Sequence, residues 1–288
     1  MQRPTSIIEN NSALHSTSLW IWLSIMGAIL AVAGNVIALS FGSIYSRLTP
    51  VFLPQAMAQD IANLAIVAPA WLILATLALR GSLRAFLLWL GVLAFTVYNY
   101  VIYMFSVPFG PLFLLWIAVF ALSLYSVIGG VSSADHEAIR LSFTSQRAVK
   151  VAAWFLIITG VLFALLWLSE DVPALMAGKT PQSVIDAGLP TNPVHVLDLA
   201  FFLPAVIITG ALLLKRRALA YTLAPSFILF LILTGVPILI TPVVQTAREE
   251  VAGWGVVAPI GTLTAVLLCL LIWLMSTVQS PTRPPLAS

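Results

Sequence analysis

Apolar residues fall into eight long runs separated by short polar or charged breaks, at 19–41, 60–79, 85–106, 111–130, 151–169, 194–214, 218–240 and 256–276. A helix needs about 20 mostly apolar residues to cross the hydrocarbon core of a bilayer, and these runs match that length. The breaks are short except at 42–59, 131–150, 170–193 and 241–255, which leaves no room for a soluble domain between runs. The expected fold class is an all-α integral membrane protein of eight transmembrane helices.

Two of the runs read as copies of each other. At a constant offset of 135, DIANLAIVAPAWLILATLALR (Asp60 to Arg80) lies over HVLDLAFFLPAVIITGALLLK (His195 to Lys215), with Leu64, Ala65, Pro69, Ala70, Ile73, Leu77 and Leu79 meeting identical residues. The match continues as RGSLRAFLL over KRRALAYTL. Farther on, Pro111, Leu115 and Tyr125 meet Pro259, Leu263 and Trp273 at an offset of 148. A four-plus-four duplication follows as an expectation: a tail at 1–18, a first repeat at 19–130, a linker at 131–150, a second repeat at 151–276 and a tail at 277–288. An even number of spans per half makes the halves parallel, related by an axis along the membrane normal. The second and sixth spans should then face each other across it.

Each copy opens with two polar residues three apart, Asp60 with Asn63 and His195 with Asp198. Residues so spaced share a helix face, and polar groups in hydrocarbon are costly unless satisfied. Pro69 and Pro204 follow at the same distance below each pair. A proline within a helix frees a carbonyl and permits a bend, so both helices should be irregular at one level. The third run adds Tyr98, Asn99, Tyr100 and Tyr103. Tyr98, Asn99, Asp60, Asn63, His195 and Asp198 together form the candidate binding pocket. Plainer roles stand beside this: Asp60 as a helix N-cap, Asn99 in a helix-to-helix hydrogen bond, Tyr103 as an interfacial anchor, and His195 with Asp198 as a self-satisfied pair. Thr49-Pro50 and Thr180-Pro181 predict short surface helices near 50–58 and 181–187.

Charge adds orientation. With the N-terminus inside, Arg3, Arg80, Arg84, Arg140, Arg147, Lys150, Lys215, Arg216, Arg217 and Arg283 lie on the cytoplasmic side, against Arg47, Lys179 and Arg248 outside. Ten against three fits the positive-inside rule and makes both termini cytoplasmic. The first run is longer than a signal-peptide core and lacks a clear cleavage site after Ala33-Gly34-Asn35, so it reads as a retained helix. Composition agrees with the membrane class, at 61% hydrophobic, 8% charged and mean hydropathy +1.06.

Residue supply narrows the chemistry. The cations are thinly spread, which argues against nucleic acid. Only His195 of the three histidines lies near a span, so bis-histidine haem ligation is excluded. A closed zinc site lacks ligands, leaving His195, Asp198 and Asp60 as a weak metal set. No spanning Lys could carry a Schiff base, and phosphate loops, nucleophile elbows and H-E-x-x-H helices are absent; no cofactor is expected. Cys269, mid-span, reads as a small hydrophobe, and Glu170, Asp171, Glu249 and Glu250 as solvated loop charge.

Gln59-Asp60 with Asn63, Tyr98-Asn99-Tyr100 and Pro193 to Leu199 (PVHVLDL) carry a resemblance. Along nearly its whole length the chain resembles a group of bacterial polytopic membrane proteins with Q-D-x-x-N, Y-N-Y and P-V-H-V-L-D-L segments. The resemblance implies a bacterial inner membrane and no particular chemistry. The pattern leaves three functions open: transport or binding of a small solute or ion in an outer pocket; an enzyme acting on a lipid-like substrate at the outer leaflet, with His195 as acid/base; or a non-catalytic subunit of a membrane complex. A cavity opening to lipid would favour the enzyme and one opening to water the transporter. Besides the lipid bilayer, the expected partner is a solute, ion or lipid; the oligomeric state is open.

Overall fold

The structure is a computed structural model that describes residues 7–279, with side chains from Thr17 onward. Arg3, Arg283 and the side chain of His15 lie outside the described residues. Among the described residues eight helices are long and apolar enough to cross a membrane. They are span one (Thr17–Ser40), two (Phe52–Leu79), three (Leu83–Ser106), four (Phe113–Ser132), five (Gln146–Met176), six (Pro193–Leu214), seven (Ala218–Ala247) and eight (Trp254–Ser276). The chain is an all-helical, multi-pass membrane protein whose apolar surfaces contact the bilayer.

One end of the bundle is basic and tied together by the linker. Phe143 bridges Val278, the Gln279 amide donates to the Ser142 carbonyl at 2.9 Å, and Arg84 donates to the Val278 carbonyl through Nε at 3.0 Å and Nη2 at 2.6 Å. A short helix, His136–Ser142, lies here, capped by Asp135, and the His136 ring bonds Thr222 at 2.8 Å. The candidate polar residues all lie toward the opposite, distal end.

Spans three and seven pack against each other in the middle of the molecule. The cause is local. At Gly91 a Cβ would come within 2.7 Å of the Ser226 carbonyl, so only glycine lets the two backbones approach, and Ser226 Oγ then donates to the Leu87 carbonyl at 2.9 Å. Small residues and hydrogen bonds join helices in lipid, where apolar burial alone gives little. This corrects the expected central pairing of spans two and six. Span two instead flanks span seven, and span six flanks span three.

Three boundaries move outward from the expected runs by seven or eight residues: the start of span two and the ends of spans five and seven, the last reaching Ala247. Residues 50–58 are not a separate surface helix; span two begins at Phe52, with the Thr49 carbonyl accepting from the Phe52 and Leu53 amides. Pro54 sits in the first turn, where a missing N–H costs nothing, so nothing breaks the helix before Asp60. Asp60 is therefore about 12 Å inside the helix at 1.5 Å per residue and is not an N-cap. Span five continues to Met176, which places Glu170 and Asp171 on a helix and not in a loop. The surface helix expected near 181–187 is present at Gln182–Ala187.

The irregularity expected at the prolines takes the form of a π-helical turn in each of spans two and six, at Asn63–Val67 and at Asp198–Phe202. Pro69 and Pro204 cannot donate to the carbonyls of Ala65 and Ala200, and the ladder slips by one residue: Ala68 N bonds Asn63 O, and Leu203 N bonds Asp198 O. Both turns stand at the 135-residue offset. So do the left-handed residues that end the two spans, Gly81 with φ 85° and Arg216 with φ 54°.

Candidate functional site

The polar residues of span two form a closed network. Asp60 is 1% exposed, and both carboxylate oxygens are occupied: Tyr45 donates to Oδ2 at 2.7 Å and Tyr103 to Oδ1 at 2.5 Å. Tyr45 comes from the turn after span one and Tyr103 from span three, so one carboxylate ties three elements together. Burial first, and then the adjacent Asp60 charge, hold the Tyr45 hydroxyl well above the usual tyrosine range. Asn63 points to span one, where its Nδ2 donates to Asn35 Oδ1 at 3.3 Å while its own Oδ1 accepts from Gln59 at 3.1 Å. Tyr100 lies beside Asn35. Tyr103, expected at the interface, is buried and bonded.

The polar residues of span six face span five. His195 Nδ1 lies 3.0 Å from Asp171 Oδ1, its Nε2 lies 3.9 Å from Glu170, and its ring stacks on Trp167 with centroids 4.5 Å apart. One turn on, Asp198 accepts from Trp167 Nε1 at 2.8 Å, and the Tyr98 hydroxyl reaches the same carboxylate. His195 and Asp198 do share a face, as their spacing requires, but each pairs with span five and not with the other. Asp171 and Glu170, expected as solvated loop charge, are the imidazole's partners. Asn192 caps the start of this segment by accepting from the Val194 and His195 amides.

A cavity of about 550 Å³ lies between these two networks. Gln55, Gln59 and Gln245 stand at its distal mouth; Phe95, Leu203, Phe230 and Leu231 form its floor near the middle of the bundle. Its side carries Tyr98, Asn99, Tyr103, Trp167 and Asp198. Of the six candidates, Tyr98, Asn99 and Asp198 thus line one cavity, while Asp60, Asn63 and His195 lie behind its wall. Asp60 and His195 reach it only through Tyr103 and Trp167. The metal set His195, Asp198 and Asp60 is not assembled, because each belongs to a different hydrogen-bonded group, and no metal-holding group of three or more His, Cys, Asp or Glu occurs among the described residues.

Asn99 is the unbalanced member. It is 3% exposed, and its Nδ2 has no hydrogen-bond partner. This departs from the expected helix-to-helix hydrogen bond, since a buried amide donor without an acceptor costs about 1–3 kcal/mol. The span-three register explains its position: Tyr98 serves the second network, Tyr103 serves the first, and Asn99 faces the space between.

The cavity also reaches the outer face of the bundle, where its lining residues Leu166, Ile238 and Val256 are exposed. Span five has buried residues only from Ala148 to Gly160, and span eight only from Leu267 to Met275. Those basic-end halves pack in one core, whereas the distal halves hold no fully buried residue and line the cavity with Phe163, Leu166, Ile260, Leu263 and Thr264. Spans one and four, by contrast, bury residues along their full lengths, Ile21 to Ala38 and Trp116 to Gly130.

Trp167, Glu170, Asp171 and Tyr45 were missed in the sequence. None lies in a segment of duplicated polar spacing, so their only signal was that each carries a polar tip beside or within an apolar run. Comparison of the chain with protein-family descriptions, with curated proteins and with solved structures finds no match. The fold and the site geometry therefore carry the functional argument.

Proposed function

We propose that the protein binds a small, largely apolar ligand in the distal cavity, on the outer side of a bacterial inner membrane. The observation that carries this reading is an unpartnered amide, Asn99, on the wall of a cavity of about 550 Å³. Ligand pockets are commonly about 300–1,000 Å³, mostly apolar, with a few convergent polar groups, and Tyr98, Asn99 and Asp198 are such a group. The cavity ends at an apolar floor, so this geometry supports binding more directly than passage across the bilayer. The π turns and left-handed residues at one offset support a duplicated origin for the two halves, with the second half opened into a pocket. The ten-to-three placement of Lys and Arg supports the outer location.

The enzyme reading gains the side opening toward lipid but loses its reacting group. His195 is held by Asp171 and covered by Trp167, behind the wall of the cavity. Ligand-induced thermal stabilisation of the purified protein across a broad solute and lipid panel tests the binding reading, because a ligand at about 100 times its Kd adds about 2.7 kcal/mol to the folded state. Leu231→Trp fills the floor and should abolish the shift. If no compound stabilises the wild type, or if the filled variant responds equally, the cavity is not a binding site.

A further inference from the structure

We infer that the cavity takes a single-chain cationic amphiphile, a long-chain amine with a neighbouring oxygen acceptor, drawn sideways from the bilayer between the distal halves of spans five and eight. This rests on the binding reading above and names its ligand class. Three independent observations define the ligand: the shape of the opening, the apolarity of the floor and the hydrogen-bonding polarity of the wall.

The opening is a fork. Spans five and eight bury residues only in their basic-end halves, and the distal halves present apolar side chains both to the cavity and to the surrounding lipid: Leu166 of span five and Val256 of span eight line the cavity while remaining 53% and 43% exposed. A water-borne solute would have no use for an apolar side entrance, whereas an alkyl chain crosses it without leaving hydrocarbon. The floor then receives the chain among Phe95, Leu203, Phe230 and Leu231.

The wall selects the head group. Asp198 is the only formally charged side chain on the lining, and no Lys or Arg lines it. Six more acids, Asp60, Glu170, Asp171, Asp186, Glu249 and Glu250, lie toward this end, against Arg47, Lys179 and Arg248. Of these, Glu249 and Glu250 follow span seven, and Arg248 is already paired with Glu250. An anionic phosphate or carboxylate head would meet like charge and no cation. A protonated amine can pair with Asp198, which retains acceptor capacity beyond the bonds from Trp167 and Tyr98. The Asn99 amide lines the same wall with its Nδ2 enclosed and without an acceptor, and an oxygen beside the amine supplies that acceptor when the amide rotates toward the ligand. Donor and acceptor demand together distinguish an amino alcohol head from a simple alkylamine.

The test uses the full chain in nanodiscs of neutral lipid, with binding read by native mass spectrometry. The probes are a long-chain amino alcohol, a fatty carboxylate of equal chain length and a short water-soluble amino alcohol. The long-chain amino alcohol should bind at least ten-fold more tightly than either control. Asp198→Asn should erase at least ten-fold of that affinity, and Leu166→Trp, at the exposed rim on span five and outside the hydrogen-bonded networks, should slow uptake several-fold in a protein that still folds. Equal binding of the carboxylate overturns the head-group assignment. Equal binding of the short amino alcohol overturns the lipid-borne class while the pocket stands. No binding of any of the three probes overturns the inference, and the broad panel then decides separately whether the cavity binds anything.

Discussion

Replacing Asn99 by leucine separates a functional amide from a structural one, because the two roles move stability in opposite directions. The amide is buried and its Nδ2 is unpartnered. Leucine has the same branched shape, with room for its larger methyl groups on the cavity side, and removes a donor whose unmet demand costs about 1–3 kcal/mol. Hydrogen bonds between membrane helices average only about 0.6 kcal/mol, so even a weak undetected bond would not cancel that gain. A net stabilisation of about 1 kcal/mol is expected, which raises Tm by about 2–4 °C in a protein of this size. Binding of the long-chain amino alcohol should fall by about ten-fold, the equivalent of one lost hydrogen bond of about 1.4 kcal/mol. Melting in detergent with and without the probe reads both quantities. A variant that melts lower and binds normally would show that Asn99 holds helices together, and the reasoning from its unpartnered amide would fail.

Other outcomes follow from the packing and the charges. Gly91→Ala places a methyl group 2.7 Å from the Ser226 carbonyl, and overpacking of about 1–3 kcal/mol should lower Tm by forcing spans three and seven apart; an unchanged Tm would show that this contact is not tight. Tyr45 has a folded-state pKa raised by burial and by Asp60, with Tyr103 and Tyr100 also nearby. The folded state therefore keeps a proton that the unfolded chain loses near pH 10, so stability should be intact below about pH 10 and decline above it. Tyr45→Phe should flatten that decline, and an identical alkaline slope in the variant would refute it. In a Cys269→Ser background, a cysteine at Lys179 should label from outside intact cells and one at Gln146 only after permeabilisation, and the reverse would invert the proposed orientation.

The class and the spans were legible because both depend on composition and on local sequence. An apolar run of membrane length has few alternatives to a helix in lipid, where every backbone group must be satisfied internally. Both polar pairs were visible for the same reason, as departures from an otherwise apolar pattern. Even the paired π turns were foreshadowed by Pro69 and Pro204, since the missing N–H acts on the residues just before it. Helix ends were less legible: Thr49-Pro50 pointed to a separate surface helix near 50–58 yet precedes the start of span two at Phe52, and Asp171 looked like loop charge yet lies on a helix.

What the sequence could not express was which polar groups meet. Asp60 and Tyr45 are close in the chain, but Tyr103 reaches them only because span three packs against span two. His195 and Asp198 share a face, and it was the position of span five that gave one to Asp171 and the other to Trp167. The cavity is more remote still from the linear pattern. Spans one and four bury residues along their whole lengths, whereas spans five and eight, equally apolar, bury none on the distal side of Gly160 and Leu267. Local sequence therefore determined the helices and the two polar levels, because propensity, proline chemistry and hydropathy act over a few residues. Tertiary packing alone decided where space remained between them, because a cavity depends on how surfaces far apart in the chain fail to meet.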